Sequence, residues 1–219
     1  MRRYLLLDDN EAFAENLAEI LRDGGDDATV VTDGARALSL AGARRYDALL
    51  TDMRMPGMTG AETVRHIRQV DPGLAVVVIT AHPSERELET ARRQGLLAVL
   101  PKPVPLATLV SLLTRARRDG VVLLIEEEPG QAERLSEALR ARGFSCVTAR
   151  SVAEAERLTQ VRPFAAVVEP RRPGAPEDEA LRRLRARHPW LPVFVSSVVC
   201  APADTPALLD ALERAHDSR

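Results

Sequence analysis

The fold of this chain is decided by the stretch LLTDMRMPGMTG, residues 49–60. It consists of a short apolar run, a carboxylate at Asp52, and a turn rich in proline and glycine. Short apolar runs bounded by turn residues predict buried parallel strands. Asp52 is therefore expected at the carboxyl end of a strand, where open α/β sheets place their functional groups. An aspartate in such a place is more often a turn or capping residue, so other evidence is needed.

Three further apolar runs also end in polar side chains, at residues 4–7, 75–79 and 97–100. The polar residues that follow these runs are, in chain order, Asp8 with Asp9, then Thr80, then Lys102. Together with Asp52, four predicted strands thus end in an acid pair, an acid, a hydroxyl and an amine. Helical patterns between these strands give repeated β-α units, which predict a doubly wound parallel sheet.

This set of residues resembles the receiver domain of bacterial two-component response regulators. The resemblance covers about residues 3–118 and includes the D-x-x-M-P-x-M-x-G turn that begins at Asp52. It implies a flavodoxin-like, five-stranded parallel sheet of order 2-1-3-4-5, in which strands one and three are neighbours.

In that strand order Asp8, Asp9 and Asp52 converge, and three close carboxylates need a cation because they repel one another. Oxygen ligands at a partly hydrated site suit Mg²⁺, with Mn²⁺ as a substitute. By resemblance, Asp9 and Asp52 bind the ion directly, and Asp8 acts largely through water. The main-chain carbonyl of Arg54 completes the protein ligands.

The resemblance also implies the chemistry. Asp52 is the nucleophile that takes a phosphoryl group from the phosphohistidine of a sensor histidine kinase or phosphotransfer protein. Mg²⁺ and the Lys102 ammonium neutralise the charge, and the Thr80 hydroxyl binds the new phosphoryl oxygens. Such a protein catalyses only its own phosphorylation and dephosphorylation, so its status as an enzyme is left open.

One position departs from the family pattern. Three residues before Lys102, most receivers carry Tyr or Phe, whose ring turns inward as the threonine moves. Here that residue is Val99, preceded by Ala98. Val99 is too small and too stiff to act as that switch. Phosphorylation is still expected, but the way in which it changes the surface of the domain is left open. A scaffold that works without phosphorylation is one alternative.

The same pattern begins again near residue 119. The run at residues 121–125 leads into Glu126 and Glu127, and a second run at residues 163–168 leads into Glu169, at the place of Asp52. Glutamate is one methylene longer than aspartate, so metal binding by these residues is expected to be weak or absent.

The end of the second copy is shorter than that of the first. Ser197 takes the place of Thr80, and Ala201 takes the place of the lysine, with no room between them for a helix and a fifth strand. We therefore predict a receiver domain at residues 1–118 and a degenerate, truncated copy at residues 119–219. The short junction predicts a restricted mutual orientation.

Composition excludes several other classes of protein. Hydrophobic residues make up 45% of the 219 residues, and the net charge of −2 gives no electrostatic case for a nucleic-acid partner. The apolar runs are shorter than the roughly 18 residues of a membrane span, and Asp8 interrupts the first run too early for a secretory signal. Cys146 and Cys200 predict reduced, buried thiols. These features favour a cytoplasmic protein without membrane insertion.

The alternative from another class is an aspartyl-phosphate phosphatase or phosphotransferase of doubly wound fold. Such enzymes typically need a second acid two residues after the nucleophile, where this chain has Arg54. For the favoured reading we expect a downstream protein partner or a homodimer. The expected contact face consists of a helix at residues 84–94, the strand around Val99 and a helix at residues 105–117, with the second copy over part of it.

Overall fold

The computed structural model describes five segments of the chain, residues 1–81, 93–158, 161–168, 179–195 and 205–219. The predicted helix at residues 84–94 falls almost entirely outside these segments. Several residues singled out above also lie outside them, namely Glu169, Ser197, Cys200 and Ala201.

The first half of the chain alternates strands and helices. These are β1 Arg3–Leu7, α1 Glu11–Asp23, β2 Asp27–Val31, α2 Gly34–Ala43, β3 Ala48–Thr51, α3 Gly60–Val70, β4 Ala75–Thr80, β5 Ala98–Pro101 and α4 Leu106–Arg115. The five strands are parallel and lie in the order β2-β1-β3-β4-β5, which confirms the predicted doubly wound sheet.

Both faces of this sheet are covered, which explains why its inner strands are apolar throughout. Every residue of β3 and β4 is buried. On one face α1 and α4 pack against the sheet through residues such as Leu17 and Leu109. On the other face α2 and α3 pack through residues such as Ala41 and Ile67. The uncovered carboxyl ends of the strands therefore form the accessible edge.

Among the residues that the structure describes, the second half repeats this plan with four strands. Its elements are β6 Val121–Ile125, α5 Pro129–Ala141, β7 Ser145–Ala149, α6 Val152–Ala155, β8 Ala165–Val168, α7 Glu179–Arg187, β9 Val193–Val195 and α8 Thr205–Asp217. Its parallel sheet has the order β7-β6-β8-β9, the order of the first four strands of the other sheet. This agrees with the predicted second, truncated copy.

One predicted helix of the second copy is much shorter than expected. The periodicity predicts a helix at residues 151–161, but α6 has only four residues. After it the hydrogen bonds tighten, since the N–H groups of Arg157 and Leu158 donate to oxygens three residues earlier. Pro163 follows closely and disfavours helical backbone at the residue before it.

The two sheets meet at the ends where their strands begin. The Cys146 N–H of β7 donates to the Leu96 oxygen just before β5, over 3.3 Å. The Asp119 N–H likewise donates to the Gly73 oxygen just before β4, over 2.8 Å. These contacts lie at the amino ends of the strands. The second copy also meets the end of the predicted helix at residues 105–117, where the Arg117 N–H donates to the Gly143 oxygen over 2.9 Å. Most of the predicted helix at residues 84–94 lies outside the described segments.

Arg118 forms hydrogen bonds to both halves of the chain at this junction. Its Nη2 lies 2.6 and 2.7 Å from the two carboxylate oxygens of Asp71, and Nη1 donates to the main-chain oxygen of Tyr46. Its own main-chain oxygen lies 2.9 Å from Nε2 of His216 in α8. The short linker thus contacts both halves of the chain and fixes their relative position.

We expect Arg118→Ala to lower the free energy of unfolding by about 3 kcal/mol, because it leaves a buried carboxylate unpaired. The side chains of Arg118 and Asp71 are only 17% and 9% exposed. Arg45→Ala is the matched control, since Arg45 pairs with Asp119 where the side chains are 72% and 57% exposed. Exposed pairs contribute less than about 1 kcal/mol. Urea unfolding measures both, and equal losses would contradict the assignment.

Candidate functional site

Asp8 and Asp52 lie side by side because β1 and β3 are neighbours. In the register of the two strands Leu7 is opposite Thr51, so that the next residue of each strand emerges at the same edge. The Asp52 N–H donates to the Leu7 oxygen over 3.0 Å. Asp8 is 4% exposed and Asp52 9% exposed. The fold therefore holds two carboxylates close together with little access to water.

Asp9 joins this pair from the solvent side. Asp8, Asp9 and Asp52 each offer a carboxylate oxygen, and these oxygens all lie within 4.8 Å of one another. The group combines one exposed and two largely buried carboxylates. A donor set made only of oxygen, open to water on one side, fits a hard divalent cation such as Mg²⁺ that keeps part of its hydration shell. The predicted acidic cluster is thus present.

Lys102 reaches the acidic cluster from the end of β5. Its Nζ lies 2.6 Å from Oδ2 of Asp8 and 2.6 Å from Oδ2 of Asp52, and its side chain is 19% exposed. Burial works against the charge, but the hydrogen bonds to Asp52 and Asp8 outweigh it, so the pKa of Lys102 lies above its ordinary value. The side chain is therefore a charged ammonium at neutral pH.

Two features of Lys102 were not anticipated from the sequence. The chain has 30 lysine and arginine residues, and Lys102 is the only lysine among them. A count of residue types would have singled it out. Its Nζ also lies 4.4 Å from the ring centre of Phe13 in α1, within the range of a cation–π contact. Phe13 is partly buried and packs against the core cluster under α1 and α4.

The turn after β3 orients the Asp52 carboxylate. The Arg54 N–H donates to Oδ1 of Asp52 over 3.1 Å, so the two carboxylate oxygens have different partners. Gly60 lets α3 begin directly behind this turn, since a Cβ there would lie 2.0 Å from the Asp52 main-chain oxygen. Thr59 and Glu62 cap the helix reciprocally. The predicted turn motif thus has a steric reason for its final glycine.

Thr80 and Val99 lie on the two neighbouring strands. Thr80 ends β4, is 2% exposed, and accepts a hydrogen bond at its main-chain oxygen from the Lys102 N–H over 3.1 Å. Val99 lies within β5, is half-buried, and packs against the apolar cluster under α2 and α3. The predicted hydroxyl therefore lies one strand from Asp52, and the valine adds to the core.

The second sheet reproduces one part of this geometry. Glu126 follows β6 as Asp8 follows β1, and its Oε1 accepts from the Glu128 N–H over 2.7 Å. Asp8 accepts in the same way from the Asn10 N–H over 3.0 Å. Among the residues that the structure describes, no second group of three acidic side chains comes together. Glu169 and Ala201, which complete the comparison in sequence, lie outside the described segments.

Comparison with known proteins agrees with this geometry. The sequence model of the response regulator receiver domain matches residues 4–114. A response regulator receiver protein of Anaeromyxobacter sp. strain Fw109-5 is 54% identical over an alignment of 231 positions, which covers 100% of this chain and 97% of that protein. The chain belongs to the response regulator receiver family. Its membership assigns it to two-component signal transduction.

Other receiver-family relatives match part of the chain. The DNA-binding transcriptional regulator NtrC of Escherichia coli K12 is 34% identical over 51% of this chain and 24% of its own length. The DNA-binding response regulator MtrA of Mycolicibacterium smegmatis is 34% identical over 59% of this chain and 54% of its own length. The chain thus spans only about a quarter and about half of these two regulators.

Solved receiver structures support the fold. A CheY-like receiver domain protein from Methanospirillum hungatei JF-1 superposes with a TM-score of 0.51 at 22% identity, over 52% of this chain and 91% of that one. A response regulator receiver protein from Pseudomonas putida superposes with a TM-score of 0.50 at 26% identity, over 52% and 95%. Across the described segments, no helix has the length and apolar character that crossing a membrane requires.

Proposed function

We propose that Asp52 accepts a phosphoryl group from a histidine kinase or a phosphotransfer protein. One observation carries this proposal, the Lys102 ammonium 2.6 Å from Asp52 within a cluster of three carboxylates. Phosphoryl transfer needs an aligned nucleophile and a dense positive charge around the transferred group. A receiver-family chain with this cluster has both.

Asp52 acts as the nucleophile in this proposal. One of its oxygens forms the new O–P bond while the N–P bond of the phosphohistidine breaks, and the electron pair of that bond stays on the imidazole nitrogen. Oδ1 accepts a hydrogen bond from the Arg54 N–H and Oδ2 accepts one from Lys102. The carboxylate is therefore already oriented before the attack. Preorganisation of this kind lowers the barrier without further chemistry.

The remaining residues have supporting roles. Asp9 and Asp52 are proposed to hold Mg²⁺, assisted by Asp8 and by the main-chain oxygen of Arg54. The ion supplies positive charge to the phosphoryl oxygens when it is bound. Mn²⁺, which also takes oxygen ligands, is proposed as a substitute. Thr80 is proposed to donate its hydroxyl to a phosphoryl oxygen.

The second domain, residues 119–219, is proposed to be a receiver-like binding module that is not itself phosphorylated. Its sheet has the receiver strand order, and Glu126 stands where the first domain has Asp8. NtrC and MtrA are named as DNA-binding proteins, but this chain matches only part of each. We propose a cytoplasmic protein whose output passes through protein contacts, including contacts with a second copy of the chain.

The proposal is tested by incubating the intact chain with acetyl phosphate and measuring the mass increase of one phosphoryl group. Labelling is expected with Mg²⁺ and not with excess chelator. Asp9→Asn is expected to raise the Mg²⁺ concentration for half-maximal labelling at least about tenfold, because one ligand loses its charge. Glu127→Gln, at the matching place of the second domain, serves as the control and should change nothing. Labelling that persists in chelator would remove Mg²⁺ from the proposal.

A further inference from the structure

Within the described segments, α6 covers less of one face of the second sheet than α2 covers in the first. In the first domain α2 has ten residues and buries Ala37 and Ala41 against the corresponding face. In the second domain α6 has four residues and buries only Ala155. Fewer side chains are therefore available to fill the space between the sheet and α7.

A cavity of about 510 Å³ occupies this space. Its walls are mainly aliphatic, formed by the sheet, the turn after α6 and the helix α7, with contributions from Leu123, Val147, Leu158, Val161, Leu184 and Leu191. A volume of this size is within the range of sites for small organic ligands. The same position in the first domain is occupied by the packed cluster under α2 and α3.

The mouth of the cavity carries an aromatic pair. His188 and Trp190 both line the cavity, and their rings meet edge to face with centroids 5.7 Å apart. Trp190 is 54% exposed, so a large part of its apolar ring faces solvent beside the cavity. Tryptophan at such a place offers a rigid surface for a ligand.

Two of the described residues that line the cavity are charged, Glu156 and Arg162. Glu156 lines the cavity, but its carboxylate is paired with Arg187, with Oε1 and Nη1 3.2 Å apart. Arg162 lines the cavity from the other side, is exposed, and has no ion-pair partner among the residues that the structure describes. An unpaired guanidinium beside an apolar cavity favours a ligand with an anionic group.

We propose that this cavity binds a small amphiphile with an apolar body and a single carboxylate. The apolar body lies among Leu123, Val147 and Leu184, and the carboxylate lies at the mouth beside Arg162. The proposal is independent of phosphorylation at Asp52, because it uses only residues of the second domain.

Trp190 is the single tryptophan of the chain and reports directly on the mouth of the cavity. Decanoate and decanol are the probes, since they share an apolar chain and differ in the charged group. Titration of the intact chain is expected to give a saturable change of Trp190 fluorescence, with decanoate binding more tightly than decanol. A linear, non-saturable response to both probes would overturn the proposal.

Arg162→Gln is expected to weaken decanoate binding about fivefold and to leave decanol binding unchanged, because only the charged contact is lost. Arg157→Gln is the matched control, since Arg157 is an exposed arginine on the same turn that does not line the cavity. Equal weakening of decanoate binding by both variants would show that only general positive charge matters, and the proposed site would be wrong.

Two substitutions fill the cavity itself. Ala155→Phe places a ring into it from a buried position, and Leu158→Phe does so from a half-buried position with less risk to folding. Each variant is first checked for a cooperative unfolding transition. A folded filling variant is expected to lose saturable binding of both probes. Unchanged binding in a folded variant would place the ligand elsewhere and refute the inference.

Discussion

Asp52→Asn is expected to reduce phosphoryl incorporation from acetyl phosphate to background, because the amide cannot form the acyl phosphate. Asparagine has nearly the same shape, so the contact with the Arg54 N–H and the fold of the turn should be retained. Intact-protein mass spectrometry in the presence of Mg²⁺ measures the labelled fraction.

Glu169→Gln is the control for this experiment, since the sequence repeat aligns Glu169 with Asp52. It should be labelled as fully as the unaltered chain. Labelling of Asp52→Asn to the same stoichiometry as the unaltered chain would falsify the proposed site. Labelling lost in both variants would instead assign the second domain a part in the reaction.

Lys102→Met is expected to slow phosphorylation by a factor of about 10² to 10³, the usual loss when one preorganised positive group is removed from a charged transition state. Methionine keeps most of the apolar length of the side chain but removes the ammonium and its cation–π contact with Phe13. The rate is measured with acetyl phosphate at saturating Mg²⁺. Arg115→Met is the control, since Arg115 is an exposed cation at the far end of α4. A rate within a factor of two of the unaltered chain would contradict the role of the ammonium.

The raised pKa of Lys102 also predicts a pH dependence of stability in the presence of chelator. A cationic group whose pKa is higher in the folded state stabilises the fold fully below its unfolded pKa, about 10.4 for lysine. That contribution is lost as the pH rises through the folded value. The stability difference between the unaltered chain and Lys102→Met should therefore be constant from about pH 7 to 9 and change only above about pH 10.4. Because Lys102 is the only lysine, a single ¹⁵N-lysine side-chain resonance follows its titration directly.

The strand ends were predictable from local patterns, and the strand order and the acidic cluster were predictable through the resemblance to receiver domains. Apolar runs that end in polar residues define parallel strands, and the carboxyl ends of neighbouring parallel strands meet at one edge. Asp8, Asp9 and Asp52 could therefore be brought together before any coordinates were known. The contact between Phe13 and Lys102 could not be predicted. Helical periodicity gives the buried face of α1, but it does not show which of its side chains meets a residue 89 positions away.

One prediction that the structure corrects concerns a helix of the second domain. The length of α6 was overestimated because its apolar spacing continues past Ala155 while Pro163 limits the helix from the other side. The position of the second domain was also not predictable. It depends on the bonds of Arg118 to Asp71 and Tyr46 at the amino ends of the first sheet. No local sequence pattern indicates such a contact.

The junction at the amino ends of both sheets has a consequence for how the chain assembles with others. In each domain the carboxyl edge is the end of the sheet away from the junction, so the Asp52 edge and the edge beyond Glu126 are the two outer poles of the molecule. Under the proposed function, a kinase bound at the Asp52 edge would leave the other edge free for a second protein. The chain therefore has two accessible edges that face away from each other, and coupling between partners bound at these edges would have to cross the contacts between the two sheets.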